Sequence, residues 1–210
     1  MARARDNPFI SKIYFWWIIA PVISFVLFPL LLQDSTFRIA PDEIEFVRDC
    51  GRNVESVTAS ATAAFRSAFV ETQVVAMTVG QYERAEDSDY RGYARIGTYM
   101  HAYMTRMWLM VFRAMWRLDA LWPLCLVGFF GIFLPFLTDG LVVRAKRRSE
   151  FGLYNPISFN ISGTGSAIFI GWLFYLPLVP WPLSSLMLFG FFMGLGLMTY
   201  LTVGSFQSRT

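Results

Sequence analysis

Two cysteines and one histidine in this chain of 210 leave little room for metal chemistry, and the spacing of the other reactive residues favours no catalytic set. A serine sits in a glycine-rich stretch, Gly163-Thr164-Gly165-Ser166-Ala167, reminiscent of a nucleophile's surroundings. A serine nucleophile needs a base within hydrogen-bond reach, and the single histidine, His101, belongs to a different, polar segment. The two cysteines, Cys50 and Cys125, form no CxxC, and the chain has no HExxH, GxxxxGK[ST] or GxGxxG string. Cys125 falls in an apolar run and Cys50 in a polar region, so a bridge between them is not expected. Cys50 could bridge to another molecule in an oxidising compartment. The expectation is a protein without catalytic set, cofactor or metal.

The elements that would position any site are membrane spans. The chain is 55% hydrophobic and 16% charged, against about 45–50% and about 25% in soluble domains. Lipid can take up apolar surface that a core of this size cannot. Four apolar runs are spaced along the chain. The first occupies residues 13–33, with Trp16 and Trp17 near its start, and reads as an uncleaved anchor. The second occupies 120–138, crossed by Pro123 and Pro135. The third and fourth fall within 161–203, separated by Pro177, Pro180, Trp181 and Pro182. So many prolines cannot continue a helix, so the last two runs form a helical hairpin. The fold class is all-α: a polytopic membrane protein with four transmembrane helices and a helical segment between the first and second.

Lysine and arginine in the flanks set the orientation. The N-terminus (1–12) carries Arg3, Arg5 and Lys12. The stretch 139–160, read as a basic loop, carries Arg144, Lys146, Arg147 and Arg148. The C-terminus (204–210) carries Arg209. Four spans put these three on one side, which predicts cytoplasmic termini in a bacterial inner membrane. The segment 34–119 then lies outside. From Gln33 to Asp119 it has ten arginines, no lysine and twelve acidic residues.

That outer segment reads as two helices. One starts after Pro41, with Asp42, Glu43 and Glu45 in its first turn, and runs to about Val79 with Gly80 as its end. A turn over 85–92 leads into the other, from about Tyr93. In the second helix Met100, Met104, Met107, Trp108, Val111, Met115 and Leu118 recur at helical spacing. This face suits packing on the first helix or lying at the lipid surface better than protein docking, although methionine packs adaptably. Arg106, Arg113 and Arg117 occupy another face and read as snorkelling side chains.

Inside the spans, small residues repeat where helices approach closely. Gly163, Ala167 and Gly171 recur every fourth residue, and Gly190 and Gly194 form a GxxxG pattern. The pattern fits contacts within one chain or between copies, which leaves a homo-oligomer open. Ionisable residues, the usual mark of a transport path, are almost absent from the spans. Asp139, at the end of the second, comes nearest.

The string from Leu137 to Gly152 is more patterned than orientation alone requires. Asp139 ends the apolar run, and Gly140 permits close packing or a bend. Arg144, Lys146, Arg147 and Arg148 follow, with Arg144 a candidate partner for Asp139, and Phe151-Gly152 closes the string. This Asp-Gly, basic, Phe-Gly order after an apolar span resembles a family of inner-membrane proteins of conjugative plasmids and integrating conjugative elements. These are often encoded beside the coupling ATPase of a type IV secretion system. Asp139, Gly140, Arg144, Arg147, Arg148, Phe151 and Gly152 carry the resemblance, and Tyr154-Asn155-Pro156 departs from it. The resemblance implies a non-catalytic component of conjugative DNA transfer that contacts the coupling ATPase or the translocation channel. Asp139, Gly140, Arg144, Lys146, Arg147, Arg148, Phe151 and Gly152 are then the candidate contacts with partner or lipid. Membrane lipids and transfer-apparatus proteins are the expected partners, and direct nucleic-acid binding is not expected. A transporter or channel subunit and a mating-pair exclusion protein are the alternatives.

Overall fold

The computed structural model describes residues 13, 15–86, 91–149 and 156–205. Among them the regular elements are all helical, with no strand. A π turn, Phe15–Ile19, leads into α1 (Ala20–Leu31). Then follow α2 (Asp34–Phe37), α3 (Pro41–Asp49), α4 (Val54–Phe65), a π turn at Arg66–Val70, and α5 (Val74–Glu86). Helix α6 (Arg91–Gly128) passes through the π turn Phe129–Phe133 into α7 (Leu134–Ser149). Helix α8 (Pro156–Tyr175), a 3-10 turn at Leu176–Leu178 and α9 (Ser185–Ser205) complete the order.

Three helical stretches are long and apolar enough to cross a membrane: Arg95–Arg147, Ile157–Leu178 and Ser185–Ser205. The first apolar run forms a shorter helix, Trp17–Leu31. The expected second span, 120–138, is not a separate element, because helix continues on both sides of it. Pro123 is absorbed inside α6. Pro135 follows the π turn, in which the Leu134 N–H donates to the Phe129 carbonyl five residues back. Proline has no N–H to give and its ring crowds the preceding turn; one widened turn relieves that crowding without ending the helix.

The basic stretch expected as a loop over 139–160 is helical to Ser149 and again from Pro156. Lysine and arginine are good helix formers and favour a helix C-terminus, and proline suits a first helical position. The expected single helix from Asp42 to Val79 is broken twice. Gly51 adopts φ 75° after α3 and Gln73 adopts φ 61° before α5. The first break is anchored by Asn53, whose side-chain oxygen accepts from the backbone N–H of Glu55 at 2.9 Å and Ser56 at 3.3 Å. Gly80, the expected helix end, lies inside α5.

The chain divides into two compact units. The first holds residues 1–21, 123–176 and 183–210, where α9 packs on α7 and α8. Its buried residues include Leu188, Phe191, Phe192 and Leu195. The Trp17 indole N–H donates to the Ala167 carbonyl at 2.8 Å. Leu186, Val127 and Phe130 are more than half exposed, the apolar exterior that lipid contact tolerates and water does not.

The second unit holds residues 22–122 and 177–182. Here α6 packs its aromatic face on the α4–α5 region. Phe65 meets Trp108 and Phe112 edge-on at 6.0 and 5.6 Å between ring centres. The Trp108 indole donates to Thr78 Oγ1 at 2.9 Å and the Trp116 indole to Thr58 Oγ1 at 3.1 Å. Val47, Val57, Ala61, Met110 and Trp116 are buried. Of the methionine-bearing face of α6, Trp108 packs on the helical neighbours. Leu118, which shares its spacing, stays exposed.

Candidate functional site

The most unusual site in the described residues is a buried cluster of charge in the second unit. Arg113 and Arg117 are one helical turn apart on α6, so they share a face. They are 3% and 1% exposed, and Glu43, in the first turn of α3, is 2% exposed. Arg113 donates through Nη2 and Nε to Glu43 Oε2 at 3.1 and 3.3 Å. Arg117 donates through Nη2 to Glu43 Oε1. One carboxylate thus serves two guanidinium groups.

Backbone carbonyls accept from the same two arginines. Arg113 Nη1 donates to the Pro180 carbonyl at 2.7 Å and to that of Thr36. Arg117 donates to the carbonyls of Trp181 at 2.8 Å, Pro177 at 3.3 Å and Val179. The turn 177–182 has carbonyls to satisfy because a helix end leaves its last acceptors unpaired and prolines supply no donors. Arginine suits the task, with a planar fork of five donors. Three pieces of chain, the Thr36 region, α3 and the proline turn, are held on one set of charges.

Two further pairs flank it. Arg106 bonds Asp34 and reaches the Pro29 carbonyl at 3.4 Å. Arg52 donates to Asp119 through its carbonyl at 3.1 Å and Oδ1 at 3.3 Å. The expectation that Arg106, Arg113 and Arg117 snorkel to a lipid surface is therefore corrected. Arg113 and Arg117 are interior, and Arg106 is ion-paired. Two signals in the sequence pointed this way: arginine used to the exclusion of lysine over 33–119, and the i, i+4 spacing. Neither said which carboxylate would be the partner.

The residues singled out from sequence lie in the first unit. Asp139 is exposed and Gly140 buried on α7. A Cβ at Gly140 would stand 3.1 Å from the Tyr200 carbonyl oxygen and 3.2 Å from its Cα, so α7 and α9 touch backbone to backbone there. Arg144 is half-buried, and Lys146 and Arg147 are exposed. Arg147 Nη1 donates to the Gly204 carbonyl at 3.4 Å, at the C-terminal end of α9 where a cation is favoured. The Arg148 side chain, Phe151 and Gly152 lie outside the described residues.

Gly163, Ala167 and Gly171 are all buried along α8. A Cβ at Gly194 would fall 2.5 Å from the Phe169 ring, whereas nothing stands within 4 Å of one at Gly190. The GxxxG pair is thus split, with Gly194 at a contact and Gly190 exposed. Gly196, which follows the pair, also stands at a close contact, where a Cβ would meet the Phe136 ring at 2.7 Å.

The Ser166 hydroxyl shares a hydrogen bond of 3.1 Å with Thr202, either atom donating. Among the described residues, no group of three or more His, Cys, Asp or Glu side chains is placed to hold a metal ion. Cys50 and Cys125 are free thiols. Burial first, and the neighbouring Asp49 second, push the Cys50 thiol above its ordinary range.

Residues 39–207 match the model of the DtrJ-like family, described as IncC plasmid conjugative DNA transfer protein DtrJ-like. The match takes in the buried cluster except its Thr36 acceptor, and all of α6 to α9. No curated protein and no solved structure matches the chain. With most of its length matched, the chain belongs to the DtrJ-like family of conjugative DNA transfer proteins.

Proposed function

From that membership, we propose that the protein is a non-catalytic inner-membrane component of a conjugative DNA transfer apparatus of the type IV secretion kind. The observation that carries the reading is the family match over residues 39–207. It is supported by three helical stretches long and apolar enough to cross a membrane. In this reading the first apolar run is a fourth span, both termini are cytoplasmic, and the segment 34–119 is periplasmic. Basic residues in all three proposed cytoplasmic segments support that orientation. The apolar runs, nearly free of ionisable groups, then anchor and assemble rather than conduct.

The proposed contact with the coupling ATPase or the translocation channel is the stretch from Asp139 to Gly152. Exposed Lys146 and Arg147 on α7 support it, because they offer charge on the side where an ATPase would stand. Membrane lipid is the second proposed partner of the same residues.

The test is deletion of the gene in the donor, complemented in trans, with DNA transfer measured. Transfer should fall by orders of magnitude and return on complementation. Unchanged transfer would remove the reading, and a phenotype confined to the recipient would replace it with exclusion. Neutralising Arg144, Arg147 and Arg148 together should weaken capture of the coupling ATPase from detergent. Capture equal to that of the native chain would move the contact elsewhere.

A further inference from the structure

The buried cluster of Glu43, Arg113 and Arg117 does more than close a turn: Arg113 also lines an open groove in the second unit. The groove, about 440 Å³, is lined chiefly by Phe28, Leu31, Leu32, Trp181 and Pro182, with Arg38 beside them. That volume falls within the range of small-ligand sites, about 300–1,000 Å³. Its two walls come from distant parts of the chain. One is the end of α1 with α2, the other is the proline turn. Arg113 bonds the Thr36 carbonyl of the first and the Pro180 carbonyl of the second.

Three observations give the groove a chemical preference. Its apolar side chains are open rather than packed away, with Leu31 71% and Trp181 51% exposed. Its exposed charged side chain is a cation, Arg38, and among the described residues no carboxylate lines it. Asp34 is paired with Arg106 and Glu43 with the buried arginines. Finally, both walls stand where the sequence passes from apolar to polar. One is at Leu31-Leu32-Gln33-Asp34, and the other is at the turn between the last two apolar runs, where an exposed tryptophan marks a headgroup level.

We propose that this groove is a binding site for an anionic phospholipid. An acyl chain lies along Leu31 and Trp181, and the phosphate is held by Arg38. The inference rests on the membrane reading given above but not on a role in DNA transfer, so the two can fail separately. Arginine suits the phosphate because its fork matches two oxygens at once.

The experiment uses the full-length protein, purified in a neutral detergent. It is exchanged in turn with phosphatidylglycerol, with phosphatidylcholine of the same chains, and with glycerol 3-phosphate. Retained lipid is counted by native mass spectrometry. Phosphatidylglycerol should be retained as a single adduct, and the zwitterionic lipid and the chainless phosphate should not. Arg38→Gln should lower retention about five-fold, the effect of one basic residue at an anionic surface. Arg66→Gln, at an exposed arginine away from the groove, should leave it unchanged. Ser35→Trp, which fills the groove and spares Arg38, should also lower it. Equal retention of phosphatidylcholine overturns the proposal. So does full retention by Arg38→Gln, or by Ser35→Trp, which would mean diffuse surface attraction. A donor-deletion strain that transfers DNA normally would sink the functional reading and leave this result standing.

Discussion

The two units of this molecule are held by opposite means. In the unit built on α7, α8 and α9, helices meet through glycine, with the Gly140 position 3.1 Å from the Tyr200 carbonyl oxygen and the Gly194 position 2.5 Å from the Phe169 ring. Its hydrogen bonds between helices are a few hydroxyl, indole and guanidinium contacts. In the unit built on α3, α4 and α6, the centre is one carboxylate, two guanidinium groups and five carbonyls. Apolar surroundings explain the first arrangement: where lipid is as apolar as the side chains, close fit drives association. The second follows from a turn, crossed by three prolines that supply no N–H, whose carbonyls are wholly or partly withdrawn from water; each must find a partner or cost free energy.

The contrast predicts a different fragility for each unit. The largest effect is expected at Glu43. Glu43→Gln leaves two buried guanidinium groups without a counter-charge and should cost about 3–5 kcal/mol, read as lost abundance and a lower melting temperature in detergent. Replacing the whole triad, Glu43→Leu with Arg113→Met and Arg117→Met, sharpens the point. Buried ion pairs often tolerate apolar replacement. Here the carbonyls of Thr36, Pro177, Val179, Pro180 and Trp181 would lose their donors, so the triple variant should remain destabilised. Native-like stability in that variant would show that the arginines serve only Glu43.

A smaller effect separates two glycines of the other unit. Gly140→Leu must push apart two backbones and should cost about 1–3 kcal/mol. Gly190→Leu, with open space at its Cβ, should stay within about 0.5 kcal/mol. Equal melting temperatures for the two would break the close-fit account of this unit.

The smallest effect concerns Cys50. The thiolate is the reactive form, and the thiol's raised pKa keeps it protonated through neutral pH. Reaction with a membrane-impermeant maleimide should therefore be slower than for a free thiol at pH 7.5. It should climb as pH rises beyond the ordinary thiol range. A rate matching free cysteine at pH 7.5 would remove the shift. In intact spheroplasts the same reaction reports which side Cys50 faces, which tests the orientation proposed for residues 34–119.

Particular residues show where sequence reading succeeded and where it stopped. The proline turn was legible because Pro177, Pro180 and Pro182, three within six residues, withhold too many donors for an α-helix to continue. The second apolar run was legible as apolar, but its ends were not: helix passes straight through Pro123 and across Pro135 by way of a π turn. The break at Gly51 was missed because a lone glycine in a helical pattern is tolerated as often as it ends one. Arg113 and Arg117 were read as reaching for a lipid surface, since arginine at helical spacing looks alike whether it faces water, headgroups or a buried carboxylate.

Composition, hydropathy and the placement of lysine and arginine are properties of the chain itself. By themselves they determined an all-helical protein with membrane-length apolar helices and a proline turn joining the last two. Two matters were decided by tertiary structure alone. One is which glycines touch, since Gly190 and Gly194 are equivalent in pattern and differ only in what stands opposite. The other is the pairing of Glu43 with arginines 70 and 74 positions away. A carboxylate's partner at that distance is set by how the helices pack, and no local spacing encodes it.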